Sequence, residues 1–162
     1  MRRLIMKPVQ ATLIGVALAS VLVLTAQADA PEEIAARIVQ AQDEQSLMAT
    51  WKSWHPKATH KVILRYGQGQ RDDVISYRIA DVGDADDAEL SKALEGYTET
   101  ARSAPRITSR SEGGARHVTA VSRVEYDWQG YSGKMRQTDE FVFEPHLGAM
   151  LIRSLTTTYD YR

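Results

Sequence analysis

Asp139 is the residue whose type and position offer the clearest chemistry, because it interrupts an apolar alternating stretch. The apolar face of the strand predicted over residues 134–144 carries Met135, Phe141 and Phe143. A two-residue period places Asp139 on that same face. Desolvation there would raise the pKa of the carboxyl and suit it to proton transfer. The alternative, which the sequence favours, is a solvated strand end or bulge, or an ion pair with Arg123 or Arg153.

His55 is the second candidate for acid–base catalysis. An imidazole titrates near neutral pH and can act as a general base. His55 follows a predicted helix and precedes Pro56. The alternative is that its ring hydrogen-bonds a helix-end carbonyl and fixes the turn, and the sequence favours this structural role.

The sequence predicts no metal and no cofactor. His60, His117 and His146 lie near a predicted strand start and two turns, without the close spacing that several converging metal ligands need. They are interpreted as surface imidazoles. The stretch Gly67-Gln68-Gly69 lacks the third glycine and the following helix of a nucleotide-binding loop.

Aromatic residues supply the remaining candidates for a binding site. The predicted ligand pocket is lined by Trp54, Tyr66, Tyr77, Tyr126 and Trp128. Such rings can stack on a planar ligand or form a dimer face. The alternative is cross-strand packing in the core, which we expect for Tyr126 and Trp128. Tyr159 and Tyr161 are expected at an interface.

The elements that must position these residues follow from the hydrophobic period. Helices are predicted over 31–53 and 88–103, and strands over 61–66, 73–80, 107–110, 117–128, 134–144 and 149–161. The period changes to two at about Arg106, and short turns join the later strands, which favours an antiparallel meander. Helices followed by a long antiparallel sheet predict an α+β fold. On the predicted strands 117–128 and 134–144, a charged ladder is expected on the solvated face, formed by Arg123, Glu125, Lys134, Arg136 and Glu140.

Residues 1–28 have the pattern of a secretory signal peptide. Basic residues Arg2, Arg3 and Lys7 precede an uncharged run that ends in Ala26-Gln27-Ala28. The apolar centre, residues 11–24, is shorter than the roughly 17 residues that the alternative, a retained membrane anchor, would need. We therefore expect cleavage near Ala28 and a periplasmic or secreted domain that meets the membrane only during export. The arginine pair leaves Sec and twin-arginine export both open.

Composition limits the partners of the remaining domain, residues 29–162. Residues 1–28 contain three of the 20 Lys and Arg and none of the 21 Asp and Glu, so residues 29–162 carry a net charge of −4 with His neutral. An acidic domain is a poor candidate for binding nucleic acid. The chain has no cysteine, which excludes disulfides and thiolate chemistry.

Two stretches resemble the nuclear transport factor 2-like (SnoaL-like) superfamily. Trp54-His55-Pro56-Lys57-Ala58-Thr59 is similar to that family's His-Pro-Asp-Ala turn, and residues 141–152 resemble its closing hairpin. Lys57 stands where an Asp is usual, and Met150-Leu151-Ile152 replaces the usual Trp-Lys-Ile. The resemblance covers residues 31–162 and implies N-terminal helices packed on a strongly curved antiparallel sheet, a cone-shaped, cystatin-like half barrel.

The resemblance leaves several functions open, because one fold hosts many activities. We expect an exported module that binds a small apolar ligand, or a protein partner, against the concave sheet. The alternative is an isomerase or cyclase in which Asp139 or His55 moves a proton and a tyrosine donates to the developing oxyanion. A weaker alternative is a component of a secretion apparatus. The family also makes a homodimer a reasonable expectation.

Overall fold

The computed structural model describes residues 29–41, 50–67, 69–81 and 95–161. The predicted signal peptide and its cleavage near Ala28 lie outside these residues, as do residues 82–94. No helix in the described ranges is long and apolar enough to cross a membrane.

One helix packs against a bent, open sheet of seven strands. The helix is α1 (Pro31–Gln40), and the strands are β1 (Trp54–Arg65), β2 (Asp73–Arg78), β3 (Tyr97–Arg102), β4 (Arg106–Glu112), β5 (Ala115–Trp128), β6 (Tyr131–His146) and β7 (Ala149–Asp160). Their order is β2-β1-β7-β6-β5-β3, with β4 also beside β5. The α+β class and the β5–β6–β7 meander are therefore confirmed. One pairing departs from an all-antiparallel sheet, since β1 runs parallel to β7.

Strands β3 and β4 share one edge of the sheet. β4 pairs with the first half of β5, and β3 pairs with its second half. The break between them contains Pro105, which cannot donate a ladder hydrogen bond. Register shifts in β3 and between Val142 and Phe143 bend the sheet, as bulges do.

Helix α1 closes one end of the sheet. Proline at its first position and Glu32 and Glu33 in its first turn suit a helix N-terminus. It buries Ile34, Ala35 and Val39 against Val118, Ala120, Phe141, Phe143, Ile152 and Leu155, a set called here the apolar cluster. The prediction of one helix from 31 to 53 is wrong. Ala41 has an extended backbone, and Trp51–Ser53 forms a separate 3-10 turn.

Two further sequence predictions are wrong. Trp54–Thr59 is not a turn but the start of β1, which pairs with β7 across a register shift around Pro56. Residues Tyr97–Arg102, predicted as the end of a helix, form β3. In both cases pairing with a neighbouring strand decides the local structure. The pattern of residue types along the segment contains no information about that pairing.

Candidate functional site

Asp139 lies on the inner face of the sheet, defined here as the face that packs against α1. Its pairing partners are Ala120 on β5 and Thr157 on β7, and all three side chains are buried. Asp139 is only 3% exposed. The predicted alternation along β6 is therefore confirmed, and a solvated strand end or bulge at this position is excluded.

A polar band of buried and half-buried side chains crosses the inner face beside Asp139. Its members, one or two from each of five strands, are His60, Arg102, Ser122, Gln137, Asp139 and Thr157. The apolar cluster lies on one side of this polar band. A second cluster, built on Val124, Tyr126 and Met135, lies on the other. Burying polar groups between apolar layers costs free energy unless each group finds a partner.

Both carboxylate oxygens of Asp139 accept hydrogen bonds from neutral side chains. The Thr157 hydroxyl donates to Oδ1 over 2.7 Å, and Gln137 Nε2 donates to Oδ2 over 2.8 Å. Gln137 Oε1 in turn accepts from Arg102 Nη1 over 2.9 Å. Arg102 also holds Glu99 through two hydrogen bonds of 2.8 and 2.6 Å.

The alternative ion pair of Asp139 with Arg123 or Arg153 is wrong. The Arg153 guanidinium lies 3.7 Å from Glu144 instead, and Arg123 is on the opposite face of β5. Burial raises the pKa of Asp139 above its ordinary value, although the hydrogen bonds from Thr157 and Gln137 and the charge of Arg102 act in the lowering direction. The net direction is upward because no cation touches the carboxylate directly.

His60 belongs to the same hydrogen-bond chain, so its interpretation as a surface imidazole is wrong. Its Nε2 lies 2.9 Å from Thr157 Oγ1, and its Nδ1 lies 2.5 Å from the Tyr77 hydroxyl. Burial lowers the pKa of His60 to about 4, so the ring is neutral at pH 7. The signal that could have found it is the alternation of His60 with Val62 and Leu64 along β1.

Ser122 is the one member of the polar band that lacks a partner within the described part of the chain. Its side chain is 1% exposed, and its hydroxyl makes no hydrogen bond there. It is paired with Gln137 across β5 and β6, so it lies on the inner face next to the Asp139 network. Buried hydroxyls are normally satisfied by protein, water or a ligand, so the Ser122 hydroxyl is an exception among the described residues.

Tyrosines form the second cluster beyond the polar band. Tyr126 contacts Tyr97 (ring centroids 5.6 Å apart) and Tyr161 (5.9 Å), and Tyr161 stacks on Tyr66 at 5.8 Å. These four residues are called the tyrosine cluster. Tyr159, expected at an interface, also packs here, and burial raises its pKa strongly.

The five predicted pocket residues are not all brought together. Tyr66 and Tyr126 lie in the tyrosine cluster, and Tyr77 reaches the polar band through His60. Trp54 instead packs against the apolar cluster. The prediction of a buried Trp128 is wrong, since it is 42% exposed at the end of β5 and donates to the carbonyl of Glu95.

His55 contacts neither Asp139 nor the polar band. Its ring meets that of His146 at 4.5 Å between centroids, and its Nδ1 accepts the backbone N–H of Lys57 over 3.0 Å. Desolvation, together with the neighbouring His146 and Arg153, lowers the pKa of His55. The expected bond to a helix-end carbonyl is therefore replaced by a bond within β1, which still fixes the local chain direction.

A groove of about 220 Å³ lies on the other side of the sheet and offers a competing surface. Its polar lining includes His117, Thr119, Glu140 and Thr156, which alternate with inner-face residues along β5, β6 and β7. On the same face, six residues further along β5 toward the β5–β6 turn, Lys134 and Glu125 form the expected charged pair, 2.5 Å apart. Among the described residues, no three acidic or histidine side chains come together as a metal site would require.

Comparison with known proteins gives likenesses of structure. No protein-family model and no curated protein matches the sequence. A ketosteroid isomerase-like protein from Erwinia carotovora atroseptica is 13% identical, with 79% of this chain and 92% of that chain covered at a TM-score of 0.49. An NTF2-like protein with a cystatin-like fold from Novosphingobium aromaticivorans is 16% identical, with 79% and 78% covered at 0.45.

The chain is similar in fold to NTF2-like proteins. The beta subunit of the benzoate 1,2-dioxygenase from Burkholderia mallei is a further neighbour, 9% identical, with 77% of this chain and 83% of that chain covered at a TM-score of 0.47. The resemblance predicted from the sequence agrees with these neighbours. All three TM-scores are below 0.5 and all three identities are below 25%, so these likenesses carry no argument about the family of the chain or about what it binds.

Proposed function

We propose that the chain is an exported domain that binds a small, neutral, ring-containing molecule on the inner face of its sheet. The ring lies toward the tyrosine cluster, and a polar group of the ligand reaches the polar band. The observation that carries the proposal is the unpartnered Ser122 hydroxyl beside the buried Asp139 network. A hydroxyl held without a partner in a packed core costs about 1–3 kcal/mol, which a ligand atom can recover.

The chemistry of the polar band supports a neutral ligand. Arg102, its one cation, is already neutralised by two hydrogen bonds to Glu99. A ligand carboxylate or phosphate would find no free positive charge there and would lie near Asp139. Aromatic rings prefer offset or edge contacts with other rings, and the tyrosine cluster contains both stacked and edge geometries.

A binding experiment with 2-naphthol tests the proposal, because this probe combines a fused ring with one hydroxyl. Naphthalene, which lacks the hydroxyl, is the matched probe. We expect 2-naphthol to bind more tightly than naphthalene and the Ser122→Ala variant to remove most of that preference. Ser132→Ala, at the exposed β5–β6 turn, is the matched control variant. Equal binding of the two probes to wild type, or a preference unaffected by Ser122→Ala, would contradict the proposal.

Acid–base catalysis on the same ligand class is a second candidate function. It is favoured by one observation, the burial that raises the pKa of Asp139. A carboxyl whose pKa is raised keeps its proton to a higher pH than an ordinary aspartate does and can act as a general acid or base. Base-catalysed exchange of the α-hydrogens of 2-acetylnaphthalene for deuterium, followed by NMR, tests it. Catalysis requires faster exchange with wild type than with Asp139→Asn, and equal rates would leave binding as the function.

Export is tested separately from binding. Expression of the full chain should yield a processed protein in the periplasm or medium that begins at Asp29. N-terminal sequencing reads the cleavage point. Ala28→Arg should block processing because small residues are required before the cleaved bond. An unprocessed chain retained with the membrane would contradict export as a free domain.

A further inference from the structure

The hydrogen-bond chain on the inner face has one end whose direction is fixed. Arg102 carries only donors, so the Gln137 atom that it contacts must be the carbonyl oxygen. The amide nitrogen of Gln137 then faces Asp139 Oδ2, at 2.8 Å. Oδ2 must therefore accept a hydrogen bond whatever the protonation state of Asp139.

With Asp139 ionised, every remaining hydrogen in the chain points toward it. Oδ1 accepts the single hydroxyl hydrogen of Thr157. The Thr157 oxygen must then accept from His60, which places the hydrogen of the neutral ring on Nε2. His60 Nδ1 is left with a lone pair, so the Tyr77 hydroxyl donates to it. The Tyr77 oxygen keeps its lone pairs available to a ligand.

With Asp139 protonated, reversal of every hydrogen is the arrangement that keeps each donor on an acceptor, since a Thr157 oxygen that accepted from both Asp139 and His60 would leave its own hydrogen without either partner. Oδ2 is occupied by the Gln137 donor, so the added proton must sit on Oδ1 and be donated to Thr157. The Thr157 hydroxyl then donates to His60 Nε2, and the hydrogen of the ring moves to Nδ1. Tyr77 now accepts from His60, and its own hydrogen is released toward a ligand.

We infer that Tyr77 is the specificity-determining residue of the ligand site and that Asp139 sets, through Thr157 and His60, whether its hydroxyl accepts or donates. The ligand part of this inference rests on the proposed function, whereas the hydrogen-bond chain does not. Tyr77 is 38% exposed on the edge strand β2, and its hydroxyl lies 2.5 Å from His60 Nδ1, so a second polar group of the ligand would meet it at this edge of the polar band. His60 is a positioning residue in this scheme.

The surroundings leave Asp139 as the switching group. The titratable or charged groups that face it among the described residues are Arg102 and Glu99 from β3, Tyr159 from β7 and His60 from β1. Arg102 and Glu99 form an ion pair with two hydrogen bonds. Burial raises the pKa of Tyr159, so its hydroxyl keeps its proton. Burial also holds His60 neutral above about pH 4. One proton on Asp139 therefore changes the direction of the whole chain.

The two states select different ligand groups. The ionised state presents a Tyr77 lone pair and suits a ligand hydroxyl or N–H. The protonated state presents the Tyr77 hydrogen and suits a carbonyl or oxyanion. A single net hydrogen bond corresponds to roughly three- to tenfold in affinity, so the preference between an aryl alcohol and an aryl ketone should change by that factor.

NMR of the ligand-free protein labelled with 15N-histidine and 13C-aspartate tests the chain itself. The Asp139 carboxyl shift reports its protonation, and the His60 ring nitrogens report which one carries the hydrogen. Between pH 5 and 8 the structure allows two pairings, carboxylate with Nε2–H and carboxylic acid with Nδ1–H. Any other pairing would overturn the inference, and this test needs no variant and no ligand.

The Asp139→Asn variant adds a permanent mimic of the protonated state. Its amide oxygen must face Gln137 and its NH₂ must face Thr157, so His60 should carry its hydrogen on Nδ1 at every pH above about 4. Glu140→Gln, the next residue on the opposite face, is the matched control and should keep the wild-type tautomer. A His60 tautomer in folded Asp139→Asn that matches that of ionised wild type would overturn the inference.

Binding of 2,6-dihydroxynaphthalene and 6-acetyl-2-naphthol tests the ligand part, at a pH where the 13C shift shows a carboxylate in wild type. Both probes carry one hydroxyl for Ser122, and they differ in the second group, a hydroxyl or a ketone, that would meet Tyr77. Asp139→Asn should raise the affinity for the ketone relative to the diol roughly three- to tenfold, and Glu140→Gln should leave the ratio unchanged. An unchanged ratio in Asp139→Asn would overturn the assignment of Tyr77. If neither probe binds wild type, the proposed function fails for ring ligands. The NMR test, which relates the protonation of Asp139 to the His60 tautomer, then decides alone whether the hydrogen-bond chain reverses.

Discussion

The Thr157 hydroxyl donates to Asp139 Oδ1 over 2.7 Å, and both side chains are only 3% exposed. Thr157 also lies 2.9 Å from His60 Nε2, so one hydroxyl joins a buried acid to a half-buried base. Partners of this kind are worth most where water cannot replace them. The Thr157 hydroxyl is therefore expected to contribute both to the stability of the sheet and to the protonation states of Asp139 and His60.

Replacing Thr157 by Val should destabilise the protein. The methyl group keeps the shape but leaves Asp139 Oδ1 and His60 Nε2 without partners, at about 1–3 kcal/mol for each buried group. Urea unfolding measures the change. Thr157→Ser keeps the hydroxyl and should lose much less. A loss for Thr157→Val no larger than the loss for Thr157→Ser would contradict a net stabilisation by the hydroxyl.

Stability should fall as the pH falls from 6.5 to about 4 because of His60. Its folded pKa of about 4 lies below the unfolded value of 6.5, so the unfolded chain binds the proton more tightly. At about 1.4 kcal/mol per pKa unit, roughly 3 kcal/mol present above pH 6.5 is lost by pH 4. Unfolding free energies of wild type and His60→Gln across this range measure it.

The contribution of His60 is the difference between the free energies of unfolding of wild type and His60→Gln at each pH. The difference is needed because Asp139 changes the stability with pH in the opposite direction. Its raised folded pKa means that stability falls as the pH rises from about 3.8 through that pKa. Thr59→Val, the neighbour of His60 on the other face, is the control and should follow wild type. A His60→Gln curve parallel to that of wild type would show that His60 is not buried as a neutral base.

Ser122→Ala should stabilise the folded protein by about 1–3 kcal/mol, because it removes a buried hydroxyl that has no partner. Thermal or urea unfolding of the ligand-free protein is the measurement. Ser53→Ala, another buried serine, is a comparison in which a small loss is expected from the packing change alone. Destabilisation by Ser122→Ala would mean that the hydroxyl is satisfied in solution, which removes the main support for a ligand site.

Gly133→Ala should destabilise the tyrosine cluster. A Cβ at this position would lie 2.5 Å from ring atoms of Tyr126, which is held between Tyr97 and Tyr161 and cannot move freely. Overpacking of this kind costs about 1–3 kcal/mol. The double variant with Tyr126→Leu should cost less than the sum of the two single changes. Additive losses would show that the ring does not press on Gly133.

The parts of the fold that could be predicted were those with a strong local period. Alternation placed Phe141, Phe143 and Asp139 on one face of β6, and the burial of all three agrees. The long strands of the meander also followed from their period and turns. Alternation between the two faces is a property of a single strand. The face on which each side chain lies therefore does not depend on which strand pairs beside it.

The rest depended on contacts between distant residues. The parallel pairing of β1 with β7 draws Trp54–Thr59 into a strand and brings His60 within reach of Thr157, 97 residues away. Pairing of Tyr97–Arg102 with β5 likewise overrides a helical pattern. No spacing in the sequence links His60, Thr157 and Asp139, which is why the chain between them was missed.

Thr156 and Thr157 provide the most direct test of the central claim, that the ligand site lies on the inner face. The two residues are adjacent on β7, but Thr157 faces the polar band and Thr156 lines the opposite groove. Their methyl NMR signals should be followed during a titration with 2-naphthol. Binding on the inner face predicts that the Thr157 methyl signal shifts and saturates while that of Thr156 stays in place. A shift of Thr156 alone, or of neither signal, would contradict it.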